Sequence, residues 1–190
     1  MSKAALARLA AEVRLELGLR GHQPFDPFAW AEAYGVPFVS LDAVAMSEAA
    51  RQRFTADTPD IWSAALLRDG TGHVVIYNSA HNAERVRSNL AHEVAHLVAE
   101  HTISAAWITE PNACGGTGRE QEIEAAELAG ALLIPVEQAR RSAMYGHDPA
   151  AVAARFKVSV EMATWRMRMS GGERIAARSR AKRQARAASS

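Results

Sequence analysis

The chain has 190 residues, 48% of them hydrophobic and 23% charged, enough to bury one core and a small appended module. A net charge of +1 excludes both a bulk polyanion binder and a chain held open by its own charge. Cys114 is the sole cysteine, which excludes an internal disulfide and a cysteine-rich zinc finger and suits a reducing compartment.

From Ala4 to Leu17 the apolar residues Leu6, Leu9, Ala10, Val13 and Leu17 fall on one helical face, and Gly18 and Gly21 stop it. Lys3, Arg8, Glu12, Arg14 and Glu16 interrupt that stretch, so it lacks the apolar core of a signal peptide. No segment approaches the roughly 20 apolar residues that span a bilayer, and the expectation is a cytoplasmic protein with no membrane partner. Asp26 before Pro27 predicts an N-cap, with Phe28, Trp30, Ala31 and Tyr34 in the helix that follows and Gly35 at its end.

Val36 to Leu41, Ile61 to Leu67 and His73 to Tyr77 read as strands, the last two joined by a hairpin turn at Asp69-Gly70-Thr71-Gly72. The period then becomes helical, and Ala83 to His101 predicts one long helix. Trp107 to Arg119, with Pro111, Gly115, Gly116 and Gly118, reads as a loop, and Glu120 to Leu133 as a helix closed by Pro135. Short helices are expected from Ala150 to Phe156 and from Val160 to Met169, a pair with helix-turn-helix spacing. No base-reading Asn or Gln lies on the second of them, which favours a module packed on the main domain and leaves Arg166 and Arg168 to touch phosphate or an acidic partner. After Gly171 and Gly172, six Lys or Arg stand against Glu173 alone, a local charge of +5 that reads as frayed helix or disorder. Helices, a small antiparallel sheet, then helices make an α+β order. The expected division is a main domain over 1–148, a helical module over 149–170 and a basic tail over 171–190.

His92, Glu93, Val94, Ala95 and His96 form the H-E-x-x-H pattern on the long helix. At about 100° per residue the two imidazoles lie roughly 40° apart and can share one metal ion. Glu93 is offset enough to reach a water on the metal, where a cation lowers the water's pKa toward about 7 and a carboxylate can take its proton. Leu90, Val94, Leu97 and Val98 supply an apolar face, so the histidines sit where an unpaired imidazole is costly and a metal supplies a partner.

A catalytic zinc needs a third protein ligand. On a continuous helix His101 lies about 140° around from His96 and reads as a solvent-facing helix end. An elongated motif would need histidine at the position of Thr102. A carboxylate from the next helix is the better choice among Glu120, Glu122, Glu124 and Glu127. Glu122 shares a stripe with Ala125, Ala126, Ala129 and Leu133, small residues that let the two helices press together, whereas Glu120 and Glu127 read as a solvated face.

The region from Leu6 to Met169 resembles the ImmA/IrrE family of metallopeptidases. The marks are Pro24-Phe25-Asp26-Pro27-Phe28, Tyr34-Gly35-Val36-Pro37, Glu84-Arg85-Val86-Arg87 before the histidine motif, and Glu122 to Pro135 closing in Leu132-Leu133-Ile134-Pro135. The resemblance places Glu122 on the ligand position, with Glu124 as the fallback. Ala126 stands where the family has Asn or Asp, and Ser88 and Asn89 where it has Phe and Thr. The resemblance implies a zinc endopeptidase with His92, His96 and Glu122 on the metal and Glu93 as general base. It also implies a protein substrate, a helix-turn-helix repressor whose cleavage switches on a stress, phage or mobile-element programme. Tyr77, Tyr145 and His147 are oxyanion candidates by chemistry alone. A competing reading is a non-catalytic regulator that binds a repressor or DNA through the C-terminal helices, with weak nonspecific DNA contact by the basic tail.

Overall fold

The computed structural model describes residues 1–102 and 118–188. In chain order the elements are α1 (Lys3–Glu16), α2 (Pro27–Tyr34), β1 (Phe38–Ser40), α3 (Glu48–Gln52), β2 (Ala64–Asp69), β3 (Gly72–Tyr77), α4 (Ala83–Val98), α5 (Arg119–Leu133), α6 (Val136–Tyr145), α7 (Pro149–Phe156), α8 (Val160–Met169) and α9 (Gly172–Ala188). The fold is α+β. Helix boundaries follow local chemistry. Ser2, Asp26, Asn82, Asp148 and Ser159 each accept a hydrogen bond from a backbone N–H in the first turn of the helix they precede. Gly35 ends α2 with φ +66°, a left-handed turn that costs glycine nothing.

The sheet has the order β1-β3-β2. β2 and β3 form the expected hairpin, in register from Ala64 opposite Tyr77 to Asp69 opposite Gly72. β1 pairs with β3 in parallel, Phe38 opposite Val75, so the sheet is mixed rather than antiparallel throughout. The long excursion from Leu41 to Ser63 returns the chain to the far edge, which a tight antiparallel turn could not do. Asn78, fully buried just after β3, holds that excursion by donating from Nδ2 to the carbonyls of Phe54, Pro59 and Trp62 at 2.8, 3.2 and 3.2 Å.

One buried cluster runs from Leu6, Ala10 and Val13 of α1 through Val94 and Ala95 of α4 and Leu128 to Leu133 of α5. It continues into Val152, Phe156, Val158, Ala163 and Met167, so α7 and α8 share the main core. Arg166 points into that core: it is 3% exposed, with Nε donating to the Ile134 carbonyl at 3.2 Å and Nη1 to Glu127 at 2.6 Å. Two sequence expectations are corrected here. Arg166 does not face a phosphate or a partner, and Glu127 does not belong to a solvated face.

Two further differences concern the C-terminal third. Pro135 does not merely close α5; it is also the N-cap of α6, a helix absent from the sequence expectation, and only Ile134 and Pro135 separate the two helices. Residues 172–188, expected to be frayed helix or disorder, form α9. Gly172 is buried where a Cβ would meet the backbone of α6 and the Ala143 side chain at 2.8 Å, so the bare glycine lets the start of α9 dock. The residues expected to form a loop from Trp107 onward lie outside the described residues up to 117, as does Cys114.

Candidate metal centre

The centre is built where α4 lies against α5. The entry to α4 is tied down first: Arg87 Nη1 donates to the Phe25 carbonyl at 2.5 Å, and its guanidinium stands 3.9 Å from Asp26, the cap of α2. Arg85 pairs with Asp60 of the long excursion and reaches Ser63 Oγ at 3.3 Å. Below these anchors Leu90, Ala91, Val94 and Ala95 are fully buried, and the last three share one core with Ala125, Leu128 and Ala129 of α5. Ala125, Ala129 and Leu133 of the predicted stripe are buried as expected, and Ala126 is exposed, outside the contact.

The small residues bring Glu122 up to the histidines. His92 Nε2 lies 3.1 Å from Glu122 Oε2 and 3.1 Å from His96 Nε2, and His96 Nε2 lies 3.5 Å from Glu122 Oε1. One ligand atom from each of the three residues falls within 4.8 Å of the others. In a tetrahedral site with Zn–N bonds of about 2.0–2.1 Å, neighbouring donor atoms stand about 3.4 Å apart, so these separations fit a small cation. The three differ in exposure: His96 is 2% exposed, while the side chains of His92 and Glu122 are 23% and 27% exposed, which gives the cluster one buried wall and one open side. Burial, reinforced by the neighbouring His92, pushes the His96 imidazole down to about 4, so it is a neutral donor at pH 7. Glu93 is 3% exposed on the same helix.

Sequence reasoning misplaced His101. α4 stops at Val98, and Glu100 takes φ +53°. The Glu100 N–H then bonds to the Leu97 carbonyl at 3.1 Å and the His101 N–H to the His96 carbonyl at 3.0 Å, the paired bonds of a Schellman turn. The turn folds His101 back beneath His96 instead of letting it continue around a helix into solvent. Its side chain is 4% exposed, Nδ1 stands 3.0 Å from His96 Nδ1, and Nε2 stands 3.4 Å from Glu124 Oε2. Burial lowers the His101 pKa as well. Glu124 is thereby occupied one step behind the converging donors, its other oxygen meeting the Met1 ammonium. Glu120 is exposed, as expected.

Of the oxyanion candidates, Tyr77 packs edge-on against Phe28 with ring centroids 5.7 Å apart. Tyr145 is 68% exposed and stacks on His147 at 6.1 Å. Neither contact links them to the three converging groups. No described helix is long and apolar enough to cross a membrane.

Compared with known protein families, residues 31–168 match the IrrE N-terminal-like domain, a peptidase family. That span runs from α2 to the last turn of α8 and contains every residue of the centre. A comparison with curated proteins found no match.

Proposed function

The chain belongs to the IrrE N-terminal-like peptidase family, and from that premise we propose that it is a zinc-dependent endopeptidase. His92, His96 and Glu122 would hold the metal, and Glu93 is the general base. The observation that carries the reading is the meeting of two imidazoles and a carboxylate at 3.1–3.5 Å, with one donor atom of each converging as the ligands of a single cation do. Two imidazoles with one carboxylate suit zinc, and other divalent first-row ions compete for such a set. When bound, such a cation supplies Lewis acidity that polarises a peptide carbonyl and activates a water molecule.

The chain's own residues do the rest. The buried side of His96 fixes one donor rigidly, while the half-open His92 and Glu122 leave room for a peptide on the other side. Glu93 follows His92 on the helix, offset by about 100°, so its carboxylate is set to take a proton from the attacking water and return it to the departing amine. The substrate we propose is a protein, by its resemblance a helix-turn-helix repressor, and the site of action the cytoplasm.

Glu93→Gln tests the mechanism. It leaves zinc stoichiometry intact and lowers cleavage by about 10²–10⁴-fold, because an amide cannot accept the proton. Equal cleavage by both proteins rejects the reading. A second reading is favoured by one observation: Arg174, Arg178, Arg180 and Lys182 are all exposed on α9, a cationic surface for nonspecific contact with DNA. If the Glu93→Gln protein relieves repression as well as wild type without cutting the repressor, the protein acts by binding.

A further inference from the structure

We propose that His101 and Glu124 are positioning residues: a hydrogen-bonded train running from Glu124 through His101 to His96 fixes which nitrogen of His96 faces the metal. This rests on the metal reading above. His96 presents Nε2 to His92 and Glu122. A neutral imidazole that gives the Nε2 lone pair to a metal carries its hydrogen on Nδ1. Among the described residues that hydrogen faces His101 Nδ1 at 3.0 Å. His101 therefore accepts at Nδ1 and carries its own hydrogen on Nε2, which faces the Glu124 carboxylate at 3.4 Å. Only one arrangement of protons serves all three groups, and it is the arrangement that leaves His96 Nε2 free to ligate.

The train is held from both sides. The Schellman turn at Glu100 sets the position of His101 from the end of α4, and α5 contributes Glu124 one half-turn past Glu122. A single close packing of α4 on α5 thus delivers both a candidate ligand, Glu122, and its outer support, Glu124. The ring of His101 cannot itself join the donors, because its Nδ1 is spent on the far nitrogen of His96 and its Nε2 points at Glu124. Hydrogen bonds of this kind orient a ligating imidazole and raise its basicity, and their loss typically weakens metal binding by about 10–100-fold.

The test uses the full chain, measuring the zinc dissociation constant by competition with a chromophoric chelator. His101→Phe removes the acceptor while filling the space, and zinc binding should weaken by about 10–100-fold. His101→Gln can accept from His96 with its carbonyl oxygen and donate to Glu124 with its amide, so it should recover most of that loss. Binding by His101→Phe within about twofold of wild type overturns the proposal, as does failure of His101→Gln to outperform His101→Phe. A measurement on unmodified protein covers the case in which these variants do not fold. In zinc-loaded wild type, long-range ¹H–¹⁵N correlation spectra should show His96 protonated at Nδ1 and His101 at Nε2. The opposite tautomer at either ring overturns the train while leaving the metal reading in place. Wild type that takes up no zinc overturns both.

Discussion

Two polar clusters hang on helix α5, and they differ in the partners they gather. Toward its N-terminus, Glu122 and Glu124 meet the imidazoles of His92, His96 and His101. Toward its C-terminus, Glu127 meets Arg166 at 2.6 Å and Lys3 at 3.3 Å, and Arg14 donates from Nη1 to the Leu132 carbonyl at 2.6 Å. Arg14 also clasps the carbonyls of Arg20 and Gln23. Burial brings its pKa down to about 10, still far enough above 7 to leave it charged. In the second cluster Glu127 meets two cations, and its ion pairs together with the Arg14 hydrogen bond tie α1, α5 and α8 to one another. In the first, the Met1 ammonium meets Glu124, and one donor atom each of His92, His96 and Glu122 converges on a common point. Ion pairs that tie helices together belong to the architecture, and donor atoms that converge on one point suit a ligand.

The largest separation of the two should come from Arg166→Met. Glu127 would then keep a largely buried charge with the exposed Lys3 as its remaining ion-pair partner, and the fold should lose about 3 kcal/mol, a drop in Tm of about 6–12 °C. Zinc stoichiometry should not change. A variant that lost zinc along with stability would show the two clusters to be one unit.

Zinc itself gives the next effect. At a free concentration of about 100 times Kd it should stabilise wild type by about 2.7 kcal/mol, and His96→Ala should forfeit that gain while its metal-free form still melts cooperatively. Equal zinc-induced shifts in both proteins, read by differential scanning calorimetry with and without chelator, would place the metal elsewhere.

The smallest effect concerns acid. Burial works to raise the Glu127 carboxyl, but the Arg166 hydrogen bond and charge, with Lys3, outweigh it and hold the pKa below its usual 4.5. A lowered folded-state pKa contributes stability that is present above the unfolded value and is lost as pH falls through the folded one. Urea midpoints of metal-free wild type should therefore fall faster below about pH 4.5 than those of Glu127→Gln. Parallel curves would mean that the Arg166 pair carries no net linkage.

What could be read from the chain alone was whatever depends on neighbours three or four residues apart. The cap at Asp26, the hairpin at Gly70-Thr71 and the common side of His92 and His96 all follow from local geometry, and the structure reproduces them. Glu122 needed one step more, a stripe of small residues, and that too was legible, although Ala126 proved to lie outside it. His101 was misjudged because its position depends on a left-handed residue at Glu100, where the usual signal, glycine, is missing. Arg166 and Glu127 stand 39 positions apart in the chain, and the sequence alone assigned Arg166 a phosphate or acidic partner and Glu127 a solvated face, whereas the packing of α8 on α5 pairs them. The parallel pairing of β1 and the docking of Gly172 on α6 are of the same kind. Local hydrogen bonding and helical periodicity act within a few residues and leave a mark in sequence. Which charges end up facing each other is set by the packing of whole helices, and only the tertiary structure decides it.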